Sequence, residues 1–268
     1  MTRIQAGSIQ LDYQIRGQGP SLLMINGFRR SRVVWMEDFL RAMEGQFRMI
    51  LFDNRGTGNS DQPEAGYSIE GFADDCAALL EALGIAQTHV FGVSMGGMIA
   101  QALATRHPEQ VKGLAIGCSH CGKSGAIPSQ KDIWELLRLL PGPQMDAREV
   151  AYRQEAAYVT EAFRAANRAF LDDFFETVQQ NPTPEHAVKG HLRAIEAWDG
   201  CGQLGQIKAP TLVITGAEDR LIPAANSTLM AERIPGAELC LLPDSAHFFW
   251  LEKPRETAKA LGDFFGKL

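Results

Sequence analysis

Ser94 stands in the segment Val90-Phe91-Gly92-Val93-Ser94-Met95-Gly96-Gly97, between a short apolar run and a stretch with helical character. A Gly-x-Ser-x-Gly unit in that setting predicts a sharp strand-to-helix turn, because only residues without bulky side chains fit two positions either side of the serine. Such a turn lifts the hydroxyl over the C-terminal edge of a sheet, at a helix N-terminus, where the helix dipole and free N–H groups favour developing negative charge. The chemistry this arrangement serves is nucleophilic attack on a carbonyl.

A serine hydroxyl is a weak nucleophile until a base takes its proton. Folds built on such an elbow carry that base after the last strand, in the chain order Ser, then Asp or Glu, then His. Of six histidines, His89 and His107 flank the wrong ends of the nucleophile's strand and helix, and His186 and His191 fall in a helical region. His247 follows the apolar run Leu239 to Leu242 through Pro243-Asp244-Ser245-Ala246, a loop at a strand's C-terminal end. The orienting acid belongs after the preceding strand, where Gly216-Ala217-Glu218-Asp219-Arg220-Leu221-Ile222-Pro223 offers two neighbouring carboxylates. The spacing favours Asp219, with Glu218 as the alternative. The other place for an acid, after Val111 to Ile116, reads Gly117-Cys118-Ser119-His120 and holds no carboxylate.

Acyl transfer also needs N–H donors aimed at the oxyanion, each worth about 3 to 4 kcal/mol when removed. Met95, directly after the serine, supplies one backbone N–H. The loop after Leu22 to Ile25, Asn26-Gly27-Phe28-Arg29-Arg30, places the second at Phe28.

These residues need a scaffold, and the hydrophobic pattern describes one. Ile9, Leu11, Tyr13 and Ile15 alternate with polar residues, the period of a half-exposed strand, preceded by a turn at Ala6-Gly7-Ser8 and a hairpin partner at Arg3 to Gln5. Continuous apolar runs then alternate with helices: Leu22 to Ile25, Met49 to Phe52, His89 to Phe91, Val111 to Ile116, Thr211 to Ile214 and Leu239 to Leu242. That alternation predicts a parallel sheet covered on both faces. Ile69, Phe72, Cys76, Leu79, Leu80 and Leu83 share one helix face, with Ser68 as N-cap and Gly84 as terminator. Met95 to His107 is a helix stopped by Pro108, and Glu256 to Phe265 closes the chain.

Between Cys121 and Gln206 the alternation stops. Helical stretches at Ser129 to Leu140, Asp146 to Tyr158, Ala162 to Gln179 and Glu185 to Trp198 are divided by Pro141-Gly142-Pro143 and Asn181-Pro182-Thr183-Pro184. The pattern predicts a helical insertion, residues 121–206, into a core formed by residues 1–120 and 207–268. Its large apolar residues (Trp134, Leu137, Tyr152, Tyr158, Phe163, Phe170, Phe174, Phe175 and Trp198) should pack the insertion, with a minority lining an apolar pocket over Ser94.

Composition fits a globular enzyme: 268 residues, 45% hydrophobic and 22% charged. A net charge of −6 without a basic cluster disfavours nucleic acid or an anionic membrane as partner. Met1 to Gly7 holds no apolar run of signal-peptide length, and the apolar runs are far too short to span a bilayer. Five cysteines at irregular spacing read as reduced thiols in the cytoplasm rather than as a disulfide framework. Cys118-Ser119-His120-Cys121 lacks the second cluster a zinc site needs. Arg29 and Arg30 read as solvated loop charges, with steering of an anionic substrate as the alternative.

Taken together, the motifs resemble the α/β-hydrolase superfamily across the core, about two thirds of the chain. Asp53-Asn54-Arg55-Gly56-Thr57-Gly58-Asn59-Ser60 is similar to the family's Asp-x-x-Gly-x-Gly-x-Ser turn, and His247, Glu252 and Pro254 to its His-x4-Glu-x-Pro ending. The resemblance implies a mostly parallel eight-stranded sheet flanked by helices, a helical cap, and catalysis without metal or organic cofactor. It also implies a small-molecule ester or lactone as substrate, and it disfavours haloalkane dehalogenases, which carry Asp where Ser94 stands. Two positions depart from the family pattern: Asn26 replaces the usual His before the oxyanion glycine, and Ala246 replaces the Gly common before His247. The elbow is shared by esterases and enol-lactonases, so hydrolysis of an ester with an apolar group is the first expectation. Lactone opening, carbon–carbon bond hydrolysis and a triad-bearing receptor follow in that order.

Overall fold

A computed structural model describes residues 2–137, 146–180 and 182–268. Thr2–Ala6 (β1) and Ile9–Arg16 (β2) form the hairpin, followed by Ser21–Ile25 (β3), the helix Glu37–Met43 (α1), Arg48–Phe52 (β4), Ile69–Ala82 (α2), Thr88–Val93 (β5), Met95–Arg106 (α3) and Val111–Gly117 (β6). Five helices come next: Lys131–Leu137 (α4), Ala147–Glu155 (α5), Glu161–Ala166 (α6), Arg168–Gln179 (α7) and Glu185–Ala197 (α8). Thr211–Gly216 (β7), Ala225–Arg233 (α9), Glu238–Leu242 (β8), Phe249–Glu252 (α10) and Pro254–Phe265 (α11) complete the chain.

The eight strands form one sheet in the order β1-β2-β4-β3-β5-β6-β7-β8. Only β1–β2 and β2–β4 pair antiparallel; the pairings from β4 through β3 to β8 are parallel. The order turns between β3 and β5, next to the C-terminal ends of the central strands, where a doubly wound sheet opens its ligand crevice. Every residue of β5 and β7 is buried, because helices cover both faces. On one face α2 and α3 contribute Phe72, Leu79, Leu80, Ile99 and Leu103; on the other, Trp35, Phe39 and Met43 pack with Leu261, Phe264 and Phe265. β8 is an edge strand, so Leu239 and Leu241 are exposed despite lying in an apolar run.

The Ser68 hydroxyl caps α2 by accepting the Gly71 N–H, and α2 ends before Gly84, which takes φ 68°. One expected helix is in fact two. Ala162 to Gln179 breaks at Asn167, whose side-chain amide donates to the Phe163 carbonyl at 2.9 Å. An asparagine that satisfies a helix carbonyl in this way competes with continuing the helix. The expected helix end at residues 138–140, the Pro141-Gly142-Pro143 break, Asn181, and the side chains of Trp134 and Leu137 lie outside the described residues.

The expectation that all five cysteines are free thiols is corrected: Cys121 and Cys201 form a disulfide across 80 residues, leaving Cys76, Cys118 and Cys240 free. The pair is invisible to local spacing because it joins the two ends of the helical insertion, where Gly122 also bridges to Asp199. Among the described residues no helix is long and apolar enough to cross a membrane.

Candidate active site

The turn from β5 to α3 holds Ser94 at φ 58° and ψ −122°, a left-handed conformation costly for a side-chain-bearing residue. What over-determines it is close packing. A Cβ on Gly92 would meet the Gly96 carbonyl oxygen at 2.1 Å, and one on Gly96 would meet that of Ile25 at 2.1 Å. The end of β6 completes the clamp: Ser94 N–H donates to Gly117 O at 2.9 Å, and the Ser119 hydroxyl donates to Ser94 O at 2.8 Å.

Next to this elbow runs the Asn26-Gly27-Phe28 loop at the end of β3. A Cβ on Gly27 would stand 3.1 Å from Ser94 Cβ and 3.6 Å from Ser94 Oγ, so the loop touches the serine only because residue 27 has no side chain. Asn26 is buried; it donates to Phe52 O at 3.2 Å and receives Asn54 Nδ2 on its Oδ1 at 2.5 Å. This short amide pair buttresses the loop where the resembling family uses histidine. Among the described residues neither Phe28 N–H nor Met95 N–H is paired with an acceptor; Met95, the first residue of α3, has none within its own helix.

Asp219, after β7, is buried and fully engaged. Its Oδ1 accepts the N–H groups of Leu221 and Ile222, each at 2.9 Å, and its Oδ2 accepts from His247 Nδ1 at 2.8 Å. Glu218 is exposed and contributes its backbone to Ser245 O instead, so the structure brings Asp219 and not Glu218 to the imidazole. With Nδ1–H committed to a carboxylate, the neutral imidazole presents Nε2 as an acceptor. Burial is the largest influence on His247 and opposes its charged form, but the Asp219 carboxylate and the Cys118 sulfur together outweigh it and hold the imidazole well above its ordinary value.

Glu252 fixes the loop carrying His247. Its Oε2 accepts Ala246 N–H at 2.6 Å and its Oε1 accepts both the N–H (2.8 Å) and the hydroxyl (2.7 Å) of Thr160, the N-cap of α6. Phe248 N–H donates to Tyr158 O at 2.8 Å, a second tie between this loop and the insertion.

Two residues matter here that sequence reasoning did not assign, and a third departs from its first reading. Cys118, at φ 37° after β6, is buried with its thiol against both the His247 imidazole and the Ser94 backbone, and burial pushes that thiol up. The position was legible as the alternative place for the acid; the thiol's contact with the imidazole was not. His191 of α8 reaches the loop at Phe28: its Nε2–H donates to Arg55 O at 3.0 Å while Nδ1 accepts Arg29 N–H at 3.4 Å. Burial lowers it to about 4, keeping it neutral. Arg30 corrects the reading of both loop arginines as solvated, for Arg29 is exposed but Arg30 is buried among aromatic rings.

Among the described residues the donor atoms of Cys118, Asp219 and His247 lie within 4.8 Å of one another, the set closest to a metal-binding group. The 2.8 Å contact between imidazole and carboxylate is already a hydrogen bond, so the arrangement fits an oriented base better than a ligand set.

A family model described as alpha/beta hydrolase fold matches residues 20–254. A RutD protein of Azorhizobium caulinodans, named for carbamate hydrolysis, is 28% identical over all of this chain and 99% of its own length. The pimeloyl-[acyl-carrier protein] methyl ester esterase of Aeromonas hydrophila is 28% identical, covering 93% of this chain and 97% of its own. Among solved structures, Est816, described as an N-acyl homoserine lactone degrading enzyme, aligns with TM-score 0.79 and 30% identity over 98% of this chain and 100% of its own.

Proposed function

The chain belongs to the α/β-hydrolase fold family, and on that premise we propose that it is a serine hydrolase of carboxylic esters, with Ser94 as nucleophile, His247 as base and Asp219 as orienting acid. Residues 121–206 act as a cap over a core of residues 1–120 and 207–268. The observation that carries the reading is the Asp219–His247 contact of 2.8 Å, set at the same sheet edge as the strained Ser94 elbow.

His247 Nε2 takes the Ser94 proton as Oγ attacks the ester carbonyl carbon. The Phe28 and Met95 N–H groups donate hydrogen bonds to the carbonyl oxygen as charge moves onto it. Asp219 holds the tautomer and stabilises the imidazolium without itself taking the proton. The intermediate collapses, the alkoxide leaves with the proton from His247, and an acyl group remains on Ser94. Water, deprotonated by His247, then releases the acid and restores the hydroxyl.

Ser94→Ala should abolish turnover of p-nitrophenyl acetate; an unchanged rate contradicts the assignment. Lactone opening is the second reading, favoured by the 30% identity to a lactone-degrading enzyme. It uses the same residues on a cyclic ester, and rates on matched rings and open chains separate the two.

A further inference from the structure

We propose that Arg30 is the anchor for an anionic group, a carboxylate in the first instance, carried by the substrate at the end remote from the scissile ester. The inference rests on the reading of the chain as a Ser94-dependent ester hydrolase and adds to it the charge of the substrate.

Arg30 belongs to the loop that carries Phe28, and its N–H donates to Gly27 O at 3.4 Å. The backbone beside it is held from the insertion: His191 accepts Arg29 N–H, and the Thr183 hydroxyl donates to Arg29 O at 3.1 Å. Arg29 takes φ 50° and faces solvent, whereas Arg30 turns inward with 9% of its surface exposed. Its guanidinium carbon lies 5.6 Å from the Tyr158 ring centroid, 5.9 Å from Phe175 and 6.0 Å from Phe248.

Aromatic faces accommodate a cation without neutralising it. Among the described residues no carboxylate pairs with Arg30. Besides burial, Tyr158 and the like charge of Arg29 act on it, and the Tyr158 hydroxyl is its one side-chain hydrogen-bonding neighbour. Two residues on, Arg32 is the contrast, paired with both Asp12 at 2.6 Å and Asp53 at 2.8 Å. A buried charge without a counter-ion is costly, and a guanidinium presents several N–H donors in a planar fork that matches a carboxylate. Burial accordingly lowers Arg30 from its ordinary value.

The position relative to the chemistry is close. The rings of Tyr158 and Phe248, which flank the guanidinium, lie 6.2 and 5.9 Å from the His247 ring. An ester bound between the oxyanion loop and His247 would therefore reach Arg30 with an acid group a few carbons along its chain. A substrate of this kind is a half-ester of a dicarboxylic acid, or a lactone bearing an acid side chain.

The test compares monomethyl adipate with methyl hexanoate, which match in chain length and differ in charge. The wild type should prefer the half-ester, and Arg30→Met should lower the ratio of the two kcat/KM values roughly 10- to 100-fold, chiefly through the KM of the anion. Arg30→Lys should keep most of the preference. Adipate, and not the uncharged diol of the same length, should compete with methyl hexanoate on the wild type, a readout that requires no variant. A wild type without preference, or a ratio unchanged by Arg30→Met, overturns the anchor; in the latter case the arginine is a clamp between loop and insertion. Ser94→Ala run alongside tells the two readings apart, since undiminished hydrolysis there overturns the esterase reading and not the anchor alone. Absence of turnover of both esters by the wild type overturns both.

Discussion

His247 Nδ1 and Asp219 Oδ2 are 2.8 Å apart, and the second oxygen of that carboxylate is held by the N–H groups of Leu221 and Ile222. The carboxylate is thus fixed by its own loop before it touches the imidazole. Asp219→Asn should keep the fold and lose the tautomer, because an amide NH2 can face Nδ1 and force the proton onto Nε2. A fall in kcat of about 10³ to 10⁴ is expected from steady-state assays with p-nitrophenyl acetate. Loss of less than tenfold would mean that Asp219 does not orient the base.

Under the proposed mechanism the same pair sets the acid limb of activity. His247 works as a base only when neutral, and its folded-state value lies well above 6.5. Activity should therefore fall with decreasing pH, and the midpoint of that fall in kcat/KM should lie above 6.5. A limb centred at or below 6.5 contradicts the combined hold of Asp219 and Cys118 on the imidazole over burial.

His191 is shifted the opposite way from His247, and its shift bears on stability. Its folded-state value is lowered to about 4, by burial, against 6.5 when unfolded. The unfolded chain therefore binds the proton first as pH drops, and stability declines between pH 6.5 and about 4, by about 3 kcal/mol at most from this group. Urea unfolding of the wild type and of His191→Gln across that range measures it. Equal slopes for the two proteins would remove His191 from the account.

The Cys121–Cys201 disulfide closes a loop with a sequence separation of 80 around the insertion. A chain-entropy model gives about 4 kcal/mol for such a loop. Reduction, or Cys201→Ser, should lower the melting temperature by roughly 8 to 16 °C. Thiol titration of the unfolded, unreduced protein should count the three free cysteines, Cys76, Cys118 and Cys240. Five thiols without reductant would contradict the pairing.

The strands and the residues at their ends were readable because period and punctuation are local. Gly92, Ser94 and Gly96 announce a turn, and Leu239 to Leu242 followed by Pro243 announces a strand end with a loop in which His247 stands. Asn167 hid a helix break, since a single asparagine inside an amphipathic run looks tolerable until its side chain is seen on the Phe163 carbonyl. Cys118 and Arg30 were hidden for a different reason. Their roles come from neighbours distant in sequence (His247 for the thiol; Tyr158, Phe175 and Phe248 for the guanidinium), and nothing at residues 118 or 30 encodes those contacts. The Cys121–Cys201 pair belongs with them, since only closure of the insertion brings its ends together.

Activation of Ser94 alone among the many alcohols of this chain is read directly by an uncharged fluorophosphonate and intact mass. A single adduct is expected, mapped to the peptide containing Ser94, absent in Ser94→Ala and strongly slowed in His247→Gln. An unlabelled wild type, or an adduct on another residue that persists in Ser94→Ala, would contradict it.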